Sequence, residues 1–112
     1  RLIDIKIKFS GDYPPENSLL EKILIHAMHE CLTNTVSHAN GHLLNVNVKN
    51  NLIKITNDGV PPKGIIKEGG GLSSLRSLIE KENGKMIVKS EPQFELIIDL
   101  RGENEWKMEN IQ

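Results

Sequence analysis

Glu30 and Asn34 stand four residues apart in the stretch His29-Glu30-Cys31-Leu32-Thr33-Asn34. On a helix that spacing brings two side chains together, with Cβ atoms ~5–6 Å apart. A carboxylate placed there can take a proton from a hydroxyl. The amide oxygen beside it can hold a magnesium ion, whose remaining ligands are water and phosphate oxygens. Asn57-Asp58-Gly59 follows a strand pattern, and Gly69-Gly70-Gly71-Leu72 precedes a helix pattern. A polar side chain at a strand end can read the edge of a base, and a glycine beside it permits close backbone approach. Free N–H groups at a glycine-rich helix start attract phosphate. In this order the three segments suggest a nucleotide site. Each also has a plain structural reading: the boundary of an amphipathic helix, an Asn-Asp-Gly turn and a flexible glycine linker.

The elements that must position these residues follow from periodicity. Ile3, Ile5, Ile7 and Phe9 alternate with Asp4, Lys6 and Lys8, which predicts a half-buried strand over 2–9. Gly11-Asp12-Tyr13-Pro14-Pro15 is turn chemistry. Asn17 or Ser18 can cap a helix running to about Ala39, with Leu19/Leu20, Ile23/Leu24, Ala27/Met28, Cys31/Leu32, Val36 and Ala39 as its apolar stripe. Leu44, Val46 and Val48 predict a second strand. Asn50-Asn51 predicts a hairpin turn. Ile53, Ile55 and Asn57 share one face of a third strand, so Asn57 points to the core side and needs a partner there. Residues 59–69 read as a loop. Leu72, Leu75, Leu78 and Ile79 predict an amphipathic helix closed near Asn83-Gly84. Met86–Ser90 and Phe94–Leu100 predict a last hairpin across Glu91-Pro92.

The order β-α-ββ-α-ββ, with strands mostly in hairpins, predicts an α/β (α+β) two-layer sandwich. Its sheet is mixed and mostly antiparallel, with helices packed on one face. The 112 residues fit one domain over 1–100, followed by a polar tail over 101–112 that carries the sole tryptophan, Trp106. A chain that opens directly in a strand pattern, without Met, is expected to be a piece of a longer protein.

Composition narrows the function classes. The formal net charge is −1 with acids and bases interspersed, which points away from nucleic acid. No apolar run approaches the ~20 residues a membrane-crossing helix needs, and no direct membrane contact is expected. Cys31 is the single cysteine, so no internal disulfide can form, as a cytoplasmic location would allow. The four histidines, His26, His29, His38 and His42, form no His-Glu-x-x-His pattern and have no second cysteine beside them. Gly69-Gly70-Gly71 is neither a Walker loop nor a dinucleotide fingerprint.

Taken together, Glu30-x-x-x-Asn34, Asn57-Asp58-Gly59 and Gly69-x-Gly71-Leu72 resemble the N, G1 and G2 boxes of Bergerat-fold (GHKL) ATPases. The likeness is greatest to the catalytic ATP-binding domain of bacterial sensor histidine kinases, short-lid subgroup, and runs from about Leu2 to Leu100. The resemblance implies Mg-ATP binding and transfer of the γ-phosphoryl group to a histidine on a separate helical dimerisation domain, with a response regulator downstream. It implies Glu30 as the catalytic base, Asn34 as the Mg²⁺ ligand and Asn57 as the adenine reader. Ser37, His38, Gly59, Gly69, Gly71 and Leu72 would complete the nucleotide site, and residues 60–68 the lid. Four positions depart from the family pattern. The adenine-reading Asp is Asn57, the second G1 glycine is Pro61, the frequent N-box lysine is Ser37, and the Gly-Thr pair before the last strand is missing from Ser90-Glu91-Pro92-Gln93-Phe94. Two alternatives stay open: a degenerate nucleotide-binding or docking module, and an anti-sigma-type serine kinase.

Overall fold

In the computed structural model, which describes residues 5–34, 42–58, 71–89 and 93–101, the chain order is β1 (Lys6–Gly11), α1 (Leu19–Asn34), β2 (Leu43–Lys49), β3 (Leu52–Asn57), α2 (Gly71–Lys81), β4 (Lys85–Lys89) and β5 (Glu95–Asp99). The strands form one sheet in the order β1-β2-β3-β5-β4. β1 runs parallel to β2, and every other neighbouring pair is antiparallel. The mixed, mostly antiparallel sheet is the expected one. Glu91-Pro92, Trp106 and the tail from residue 102 lie outside the described residues, as does the predicted helical extension from Thr35 to Ala39.

Local chemistry sets the element ends. Ser18 caps α1: its Oγ accepts the Glu21 N–H at 3.1 Å and donates to the Pro15 carbonyl at 2.7 Å. Glu21 reaches back to accept the Asn17 N–H at 2.8 Å, close to a capping box. Asn50 and Asn51 both have positive φ, 53° and 63°, as a two-residue turn between twisted strands requires. α2 ends in a Schellman arrangement. Asn83 takes φ 63°, its N–H reaches the Glu80 carbonyl at 3.0 Å, and the Gly84 N–H reaches that of Ile79 at 2.9 Å. Gly11 has φ 91°, and a Cβ there would strike the Val48 backbone.

Both described helices pack on one face of the sheet. α1 contributes Ile23, Leu24, Ala27 and Cys31 to the core, and α2 contributes Leu72, Leu75 and Ile79. The sheet answers with Leu44, Val46, Val48, Ile53, Ile55, Met86, Leu96 and Ile98. Leu20, Met28 and Leu32 pack at the margin of this core, so α1 buries its predicted stripe from Leu20 to Leu32. Leu19, expected on that stripe, is exposed at the first turn of the helix, and Val36 and Ala39 lie outside the described residues.

One expectation is corrected. β1 is not half-buried: all six of its residues are exposed, with Ile7 at 46% and Phe9 at 38%. Its register sets Ile7 opposite Leu44 and Phe9 opposite Val46, so the alternation is real. Its position is the reason for the exposure. β1 is an edge strand with β2 as its one sheet neighbour, and an apolar row at the rim receives less cover than one in the middle. Tyr13 shields part of it, with ring centroids 5.8 Å from Phe9.

Candidate functional site

The structure brings the end of α1 against the start of α2. Glu30 lies half-buried in the last turn of α1. A Cβ built on Gly71, the first residue of α2, would overlap the Glu30 carboxylate. The absent side chain at Gly71 is therefore what lets the acid lie against the helix start. This contact joins the first and third of the motifs. α2 has no acidic residue of its own in its first turn. Glu30 brings a negative charge to that positive helix end from another element, an arrangement typically worth ~0.3–1 kcal/mol. A phosphate approaching the start of α2 would meet the same N–H groups, and the carboxylate would have to turn aside for it.

Asn57 closes β3 and is 3% exposed, one of two buried polar or charged residues among the described residues, with Asp99. It continues the buried row of Ile53 and Ile55, while Lys54 between them is exposed. Strand parity thus turns Asn57 toward the helical layer, as its spacing predicts. Leu44 of β2 is its cross-strand partner. Leu72 is 6% exposed and belongs to the core, where it holds the first turn of α2 on the sheet.

Asp58 has a role that its spacing did not reveal. Its Oδ1 accepts the N–H groups of His42 at 2.8 Å and Leu43 at 2.9 Å. Its own N–H donates to the Leu43 carbonyl at 3.2 Å. The Leu43 and His42 amides, in that order, hold its carboxyl below the usual carboxylate range, against a small opposing effect of desolvation. No sequence signal links Asp58 to His42, because the bonds go to backbone groups that any residue carries.

Cys31, beside Glu30 in the chain, is fully buried. Burial, with a smaller contribution from the Glu30 charge, pushes its thiol up to about 12. It is a core residue rather than a nucleophile. Asn34 closes α1 one turn after Glu30. Magnesium takes one or two protein oxygens and completes its shell with water and phosphate, and Glu30 and Asn34 are residue types that offer oxygen donors. Among the described residues no group of three His, Cys, Asp or Glu side chains could form an all-protein metal cage. Ser37, His38, Gly59, Gly69 and residues 60–68, expected to form the lid, lie outside the described residues.

No protein-family model matches the sequence, and no curated protein matches it. Solved structures do. The ATP-binding domain of PrrB from Mycobacterium tuberculosis superposes with a TM-score of 0.61 at 20% identity, over 86% of this chain and 80% of that one. The histidine kinase domain of the blue-light activated kinase of Erythrobacter litoralis gives 0.64 at 17% identity, over 84% of this chain. The fold is that of a histidine kinase catalytic domain. The histidine kinase AdeS of Acinetobacter baumannii shares it at a TM-score of 0.56 and 16% identity. The chain spans half the length of the Erythrobacter domain and 53% of AdeS. At these identities the likeness is one of histidine kinase fold. No described helix is long and apolar enough to cross a membrane.

Proposed function

We propose that this chain is the ATP-binding catalytic domain of a sensor histidine kinase and transfers the γ-phosphoryl group of ATP to a histidine on a separate helical dimerisation domain. The observation that carries the reading is the Glu30 carboxylate lying against Gly71 at the start of α2. Residues far apart in sequence, an acid and a phosphate-attracting helix end, meet at one place. Asn57 stands at the end of the neighbouring β3.

The roles follow from the chemistry of each group. Asn57 meets the base edge through its amide. Gly59, Gly69, Gly71 and the first turn of α2 carry the phosphates on backbone N–H groups. Asn34 would supply the protein oxygen to Mg²⁺, which, when bound, would neutralise phosphate charge; Ser37 and His38 would complete the nucleotide site. Glu30 accepts the proton that the acceptor imidazole sheds as its nitrogen attacks the γ-phosphorus and ADP departs. Little covalent work is asked of the protein, so positioning and charge do most of it. Residues 60–68 close over the nucleotide. The domain works in the cytoplasm, and the phosphohistidine passes its group to a response regulator.

Calorimetric titration with Mg-ATP, joined to phosphotransfer assays with the parent's dimerisation domain, tests this. The domain is expected to bind ATP, gaining ~2.7 kcal/mol at ~100 times the dissociation constant and on the order of 10 °C in melting temperature. Glu30→Gln should keep binding and lose ~10²-fold or more in transfer, since the amide has the acid's shape without its basicity. Absence of any melting shift at saturating Mg-ATP would favour a docking module instead.

A further inference from the structure

Resting on the nucleotide reading above, we infer that Asp58 is a positioning residue for base selection: it clamps the end of β3 to the start of β2 and so fixes the orientation in which Asn57 meets the base. Leu44 and Asn57 form the terminal pair of the β2–β3 ladder. A terminal pair frays unless something beyond it holds the chains together. Here Asp58 does so, one residue past Asn57. Its Oδ1 bonds two successive amides, His42 and Leu43, and its own N–H returns a bond to Leu43. Both strands are tied at the point where β3 leaves the sheet.

The clamp matters because of what Asn57 is. A carboxylate at that place accepts hydrogen bonds in any orientation. An asparagine accepts through its oxygen and donates through its nitrogen, so a half-turn of the amide exchanges a preference for the adenine amino group for one compatible with the guanine carbonyl. Selectivity with Asn57 therefore depends on holding the backbone and the amide still. Asp58 itself is exposed and points its carboxylate at backbone N–H groups, so it acts through Asn57 rather than on the base.

Isothermal titrations of the wild type, Asp58→Ala and Asp58→Asn with ATP and with GTP test this. Asp58→Asn keeps a carbonyl oxygen at the Oδ1 position and should leave both affinities within about threefold. Asp58→Ala should weaken ATP about tenfold, a loss of one hydrogen-bond's magnitude, and bring the ATP/GTP ratio toward one. A purely structural role would lower both affinities together and leave the ratio alone. An unchanged ratio in folded Asp58→Ala, or an equal loss in Asp58→Asn, overturns the assignment. Amide exchange on the wild type needs no variant: the His42 and Leu43 amides should slow when ATP binds, and no change there also overturns it. A wild type that binds neither nucleotide sinks the nucleotide reading and the selection role with it. Faster exchange of those two amides in nucleotide-free Asp58→Ala isolates the clamp from that outcome.

Discussion

A missing side chain at Gly71 decides where Glu30 lies. The atoms that a Cβ at Gly71 would meet are the far end of a flexible side chain, not backbone. Gly71→Ala is thus expected to displace the Glu30 carboxylate rather than disrupt the fold. Helix propensity favours alanine over glycine by ~1 kcal/mol in a helix interior and by less at a terminus, so melting should hold or rise slightly. Phosphotransfer should fall by more than nucleotide affinity; equal falls in both would show that Glu30 keeps its place. Asn57→Asp is the complementary change. A charged acceptor contributes ~1.5–3 kcal/mol against ~0.5–1.5 for a neutral one. ATP should tighten by roughly tenfold and the ATP/GTP preference should rise, although desolvation of the new carboxylate works against it. Competition binding with the two nucleotides reads both effects.

Helices and strands here carry their stop signals locally. Ser18 satisfies a backbone donor at the start of α1 and bonds the loop before it. Ser18→Ala is expected to cost ~1 kcal/mol, which for a domain of this size lowers the melting temperature by about 4 °C. Because the cap sits at the opposite end of α1 from Glu30, nucleotide affinity should not change; a parallel loss of affinity would mean that the helix shifts as a body. β1 shows the limit of local reading. Its period-two pattern is that of a half-buried strand, and its position at the sheet edge leaves Ile7 and Phe9 exposed.

At the scale of the whole molecule, two carboxylates among the described residues are held low. Asp99 is bonded by Arg101 through Nε at 3.0 Å, Nη2 at 2.8 Å and the backbone N–H at 2.9 Å. The Arg101 side-chain bond is the largest cause of its lowered value, with desolvation opposing. Asp58 is lowered by the backbone amides of Leu43 and His42. A carboxyl whose folded value lies below its unfolded value of ~3.9 stabilises fully above that unfolded value. That contribution is lost as pH falls through the folded value. Melting temperature should therefore be flat near neutrality and fall below about pH 5. Asp99→Asn should flatten the acid limb without abolishing it, since Asp58 still titrates. A melting profile as steep as the wild type's would remove Asp99 as a source.

Sequence alone determined the described elements and, β1 apart, the face each one buries. The 3.6 and 2.0 periods, the Ser18 cap, the Asn50-Asn51 turn and the Asn83-Gly84 stop are local, so neighbouring residues encode them without reference to the rest of the chain. Parity placed Asn57 on the core side for the same reason. Tertiary structure alone decided three things: that Glu30 meets Gly71, that Asp58 binds the His42 and Leu43 amides, and that β1 stands at an exposed edge. Each depends on how distant segments are set side by side. The partners are a glycine's missing Cβ, two backbone N–H groups and a place in the strand order, none of which leaves a periodic or compositional trace.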